Sequence, residues 1–106
     1  MDKTNAIKLA EEYLLSASKK YNITKALLFG SFAKGTNNAD SDIDIALVID
    51  NMTDVFDTQI DLMKMRRTID LHIEPHPFRS EDFDANNPLV NEIMKFGIAL
   101  KIGMPS

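Results

Sequence analysis

Residues 25–35 read Lys25-Ala26-Leu27-Leu28-Phe29-Gly30-Ser31-Phe32-Ala33-Lys34-Gly35, and residues 41–49 read Ser41-Asp42-Ile43-Asp44-Ile45-Ala46-Leu47-Val48-Ile49. Ten residues separate Ser31 from Asp42. The first apolar run, ending at Phe29, reads as a buried strand. Gly30-Ser31 then opens a short helix over 31–34, ended by Gly35 and the polar loop Thr36-Asn37-Asn38-Ala39. In the second run, period two sends Ile43, Ile45, Leu47 and Ile49 to one face and Asp42, Asp44, Ala46 and Val48 to the other. Free backbone N–H groups thus come close to two carboxylates on one strand face. A site that handles a phosphate ester and a divalent cation needs those two features together.

Working outward, Thr4 to Lys20 carries Ile7, Ala10, Leu14 and Ala17 at helical spacing, with Leu9 and Tyr13 widening the stripe and Asp2 or Thr4 as cap. Asn22 reads as a turn. Downstream, Asp54 to Arg67 reads as a helix with Phe56, Ile60 and Met63 one turn apart. Thr68 to Glu74 reads as a third strand, with Ile69, Leu71 and Ile73 on one face and Asp70, His72 and Glu74 on the other, and Pro75 and Pro77 stop it. A last helix starts at Asn87 or Pro88 and runs to about Phe96, and Ile98 to Ile102 forms a fourth strand. Strands two and three each pair an aliphatic face with a carboxylate face. Charges between two packed layers would be prohibitively costly, so helices are expected on the aliphatic side only.

The 106 residues are expected to form a single domain over 1–106, with 44% hydrophobic residues for its core. The chain lacks cysteine, which excludes disulfides, thiolate zinc sites and thiol nucleophiles and fits a cytoplasmic protein. No apolar run approaches the roughly 18–20 residues that span a bilayer, and no secretory signal is visible at the N-terminus. A net charge of −4 argues against bulk electrostatic binding of nucleic acid. Lys64, Arg66 and Arg67 are a local basic cluster, read first as cations near the negative pole of a helix, with a small contact to a polyanion as the alternative.

If strands two and three are neighbours, Asp42, Asp44 and Asp70 meet on the uncovered face. Three adjacent carboxylates repel one another, and hard divalent cations resolve the conflict; oxygen-only donors favour Mg²⁺ or Mn²⁺. Two such ions roughly 3.5–4 Å apart would clamp the attacking and leaving oxygens of a phosphoryl displacement. The N–H groups at Gly30-Ser31 offer a positive pole for a triphosphate, and glycine permits its close approach. Asp40-x-Asp42-x-Asp44 also imitates the opening of a calcium loop, but Ile45 and Asn51 stand where that loop needs glycine and glutamate. Glu74 is the rival third carboxylate. His72 is more simply a polar residue of an exposed face, and His76, lodged between two prolines, carries no expected role.

The series Gly30-Ser31-Phe32-Ala33-Lys34-Gly35, Ser41-Asp42-Ile43-Asp44 and Asp70 resembles the minimal nucleotidyltransferases of the DNA polymerase β superfamily. Their pattern is Gly-Ser, ten residues, Asp-x-Asp, then a third carboxylate on a later strand, and the likeness runs over residues 5–102. It implies an α/β fold of the polymerase β type: a mixed sheet with helices on one face and the active site on the other. It also implies transfer of a nucleoside monophosphate, AMP from ATP as the expected case, to a hydroxyl with release of pyrophosphate. On that likeness Asp42 and Asp44 hold both Mg²⁺ ions, with Mn²⁺ as the alternative. Asp70 completes the metal site beside the acceptor hydroxyl, and Gly30 and Ser31 bind the β- and γ-phosphates. Lys34 stands where many members have arginine; a point charge still attracts phosphate but lacks the bidentate fork, so a weakened contact is expected.

Three functions compete on this reading. The first is a Mg²⁺-dependent nucleotidyltransferase. So short a chain leaves little room for an acceptor domain, which points to a protein acceptor or to a pocket completed by another subunit in an oligomer. The second is the antitoxin of a toxin–antitoxin pair, because small members of the family often accompany a helical HEPN-domain protein, which they neutralise by binding or by nucleotidylation. The third, a degenerate fold that binds nucleotide without turnover, ranks last because all three carboxylates are present.

Overall fold

The computed structural model describes residues 1–102. The elements are α1 (Lys3–Ala17), β1 (Asn22–Phe29), α2 (Ser31–Lys34), β2 (Ile43–Asp50), α3 (Val55–Met65), β3 (Ile73–Phe78), α4 (Pro88–Phe96) and β4 (Ile98–Ala99), with short 3₁₀ turns at Arg66–Thr68 and Ser80–Asp82. They build a mixed α/β fold around one four-stranded sheet of order β3-β2-β1-β4. β1 and β2 are antiparallel, as are β1 and β4, whereas β2 and β3 are parallel and are joined through α3. A parallel pair cannot be closed by a tight turn, which is why α3 lies between those strands in sequence.

α1 starts where Asp2 Oδ1 accepts the Asn5 N–H at 2.8 Å, and it ends at Ala17 rather than at Lys20. With α3 it covers the aliphatic sheet face. Ala6, Ala10, Leu14 and Ala17 of α1, Leu62 of α3, and Ile43, Ile45, Leu47 and Ile49 of β2 share one buried cluster. Tyr13 Oη of α1 donates to the Leu62 carbonyl of α3 at 2.8 Å, and in the turn after α1 Tyr21 Oη donates to Asp61 of α3, which also pairs with Lys20. The opposite face carries the even-numbered residues of β2 and is not bare. There Ile93 of α4 packs on Phe29 and Ala46, flanked by Leu27, Phe78 and Phe83. Among the described residues no helix is long and apolar enough to cross a membrane.

Beyond the end of α1, three strand boundaries and the buried face of α3 differ from the sequence reading. β1 begins at Asn22, which pairs with Asp50 instead of turning, and β4 is only two residues long. In α3 the inward stripe is Thr58 and Leu62, both buried, with Val55 and Met65 partly buried beside them, while Phe56 is 82% and Ile60 54% exposed. The largest correction concerns the third strand, which spans Ile73–Phe78 rather than Thr68–Glu74. Pro75 and Pro77 lie inside it. β3 is an edge strand, and alternate residues turn their backbone polar groups away from β2. The outward carbonyls of Ile73 and Pro75 are taken by Arg66 Nη1 and Gln59 Nε2, both at 2.9 Å. Proline at those positions removes no ladder hydrogen bond, so the strand continues through both.

Candidate active site

Asp44 lies at the centre of the site because its strand is internal. It pairs with Phe29 at the end of β1 on one side and with Glu74 near the start of β3 on the other. Its two carboxylate oxygens have different neighbours. Oδ1 is 3.1 Å from Nε2 of His76. Oδ2 faces Gly30, where a Cβ would come within 2.4 Å of it. Gly30 has φ 74° and ψ −151°, a region almost reserved for glycine, and it caps α2 without any side-chain hydrogen bond. Phe32, 1% exposed, anchors α2 in the core, and Gly35 ends it in the left-handed conformation, as expected from the sequence. The Gly30-Ser31 turn is thereby pressed against Asp44.

Asp42 directly precedes β2 and is exposed. It stands two residues before Asp44 and outside the ladder, whose first pair with β3 is Ile43 with Ile73. Asp70, read from the sequence as a strand residue beside this pair, instead occupies the turn before β3. That turn reaches β2 through the Ile43 N–H, which donates to the His72 carbonyl at 2.8 Å. The Asp70 carboxylate is engaged within its own turn, accepting from the His72 backbone N–H at 2.7 Å and facing the His72 ring Nδ1 at 2.8 Å. Burial opposes its ionisation, but the His72 hydrogen bonds outweigh burial and hold the carboxyl below its ordinary range. Glu74 is the residue in register with Asp44, and its carboxylate is 3.5 Å from Arg66.

Lys34 is directed elsewhere. Its Nζ is 2.5 Å from Glu92 of α4 and 5.4 Å from the centre of the Phe96 ring. A phosphate contact by Lys34 would compete with both.

Among the described residues no three His, Cys, Asp or Glu side chains converge as a ready-made metal cage. The donor set still fits a small hard cation. Mg²⁺ is commonly held through one or two carboxylates, with substrate phosphate oxygens and water filling its shell, and Asp44 beside the Gly30 turn, with the exposed Asp42 two residues before it, are carboxylates of that kind. His76 is the residue of this neighbourhood that sequence reasoning passed over. The signal was the alternation Glu74-x-His76-x-Phe78, hidden by treating the prolines as a stop.

The chain matches the family described as "Polymerase beta, Nucleotidyltransferase" over residues 12–101. A comparison with curated protein sequences returns no match. Among solved structures, a crystal structure from Sulfolobus solfataricus, described as that of a candidate nucleotidyltransferase, superposes with a TM-score of 0.67 at 20% identity, covering 92% of this chain and 80% of the other. At that identity the likeness concerns the fold. The family match over residues 12–101 shows that the chain belongs to the polymerase β nucleotidyltransferase family.

Proposed function

We propose that the protein transfers a nucleoside monophosphate, AMP from ATP, to a hydroxyl of a protein acceptor. The observation that carries this reading is the contact of Asp44 with the Gly30 turn, which sets a carboxylate beside the glycine that opens α2. In the reaction the acceptor oxygen bonds to the α-phosphorus and the bond from that phosphorus to the bridging oxygen breaks. Pyrophosphate leaves with the electron pair, and the hydroxyl proton passes to a carboxylate or to water. The N–H groups of Gly30 and Ser31 would hold the β- and γ-phosphates, where pyrophosphate accumulates charge. Asp42 and Asp44 would hold two Mg²⁺ ions, or Mn²⁺, which when bound neutralise the triphosphate and the developing charge.

The third carboxylate of the site has two candidates. The sequence pattern favours Asp70; the register of β3 favours Glu74, the neighbour of Asp44. Labelled ATP, Mg²⁺ and a co-expressed candidate acceptor give the test. The Asp42→Asn/Asp44→Asn double substitution is expected to abolish transfer, and unchanged transfer would end the enzymatic reading. Asp70→Asn and Glu74→Gln, assayed separately, identify the third group by the larger loss of kcat.

A second reading is favoured by the outer surface of α3. Phe56, Ile60 and Leu71 are more than half exposed there, a surface suited to a protein partner. In that reading the chain is an antitoxin that neutralises a HEPN-domain partner by binding alone. Neutralisation that survives Asp42→Asn/Asp44→Asn but not Phe56→Ser would favour binding over catalysis.

A further inference from the structure

We infer that His76 is a positioning residue that fixes Asp44 for cation binding, an inference that rests on the reading of Asp44 as a cation ligand. His76 is opposite Ala46 in the β2–β3 register, one pleat beyond the Asp44–Glu74 pair and on the same face. A diagonal neighbour at that spacing is within reach of a long side chain. Ala46 is fully buried and small, so it leaves room for the ring, which stands edge-on to Phe29 with centroids 5.0 Å apart and planes at 64°. That contact aims Nε2 at Asp44 Oδ1. A carboxylate offers only acceptors, so the imidazole N–H is the donor.

The consequence lies in which oxygen is occupied. His76 takes Oδ1, and Oδ2 is left facing the Gly30 turn. A flexible aspartate at the end of a strand samples several orientations, and a cation selecting one of them loses affinity to that disorder. The hydrogen bond on one side and the glycine turn on the other leave Asp44 a single orientation before any ion arrives. Histidine suits the task because it donates without needing a positive charge, whereas a lysine ammonium would compete with the cation for the carboxylate. Groups that orient metal ligands in this way typically change metal affinity by roughly 10–100-fold when removed.

The test is Mn²⁺ binding by the full chain, followed by electron paramagnetic resonance of the free ion, with no nucleotide or turnover involved. His76→Phe keeps a ring against Phe29 and removes the donor; it is expected to weaken Mn²⁺ binding about tenfold. His76→Gln retains an N–H donor and is expected to bind close to the unsubstituted chain. Thermal unfolding of both variants confirms that the strand is intact, and the aromatic variant guards against a cavity effect. Unchanged Mn²⁺ binding in His76→Phe overturns the inference, and so does an equal loss in His76→Gln and His76→Phe. Unchanged binding in Asp44→Asn overturns the cation reading of Asp44 itself. Absence of saturable binding by the unsubstituted chain overturns both.

Discussion

Replacing Gly30 by alanine tests the geometry of the site without any assumption about substrate. The new Cβ would meet Asp44 Oδ2 at 2.4 Å, closer than any van der Waals contact permits. The backbone at φ 74°, ψ −151° adds strain of about 1–3 kcal/mol for a residue with a Cβ. To clear the overlap, Asp44 must swing away and lose its His76 hydrogen bond, worth about 1 kcal/mol at a partly exposed site. The sum is about 2–4 kcal/mol, which corresponds to a fall of roughly 10–20 °C in Tm for a domain of this size. Gly35→Ala is the control. Gly35 also has positive φ, at 77°, but nothing lies within 4 Å of its would-be Cβ, so only the left-handed strain of about 1–2 kcal/mol applies. Urea and thermal unfolding by circular dichroism measure both variants. A double-mutant cycle with Asp44→Ala, which removes the obstructing carboxylate, isolates the clash as a coupling energy. The reasoning is refuted if Gly30→Ala is no less stable than Gly35→Ala, or if the cycle shows no coupling.

Three further outcomes follow from the packing and electrostatics. Tyr21 is pushed up to about 12 by burial and by its hydrogen bond to Asp61, and burial raises Tyr13 further. Both hold their proton more tightly in the folded chain than in the unfolded one. Their contribution is therefore intact below about pH 10 and lost as pH rises through 12, so tyrosinate absorbance should appear together with alkaline unfolding. A tyrosine titrating near pH 10 in the still-folded protein would contradict this. Phe56→Ala should change stability by less than about 0.5 kcal/mol, against about 3–5 kcal/mol for Phe32→Ala, because the first ring is 82% and the second 1% exposed; urea midpoints decide. Glu92→Ala should free Lys34 and tighten ATP binding up to about fivefold, while Lys34→Ala should weaken it, as read by calorimetry. Equal effects of the two substitutions would show that Lys34 makes no phosphate contact.

Much of the fold was legible because its signals are local. The alternation in Ile43 to Ile49, the Gly30 and Gly35 positions around a four-residue helix, and Asn87-Pro88 at the head of α4 each depend on neighbours a few residues away. α3 was harder to read. Its sequence carries two stripes at helical spacing, Val55-Thr58-Leu62-Met65 and Phe56-Ile60-Met63, and only packing against α1 and the sheet selects the first. β3 was misplaced because a proline stops an internal strand but not an edge strand, and edge position is a property of the whole sheet.

The same division holds at the candidate site. The apolar run ending in Gly30-Ser31 and the alternating run that carries Asp44 were enough to expect a glycine turn beside a carboxylate, because consecutive antiparallel strands pair side by side, and Gly30 does lie against Asp44. Only the tertiary structure decided what stands opposite Asp44. The parallel register of β3, set by contacts across the sheet and not by any local pattern, brings Glu74 beside it, places His76 on its oxygen and leaves Asp70 in the preceding turn with His72.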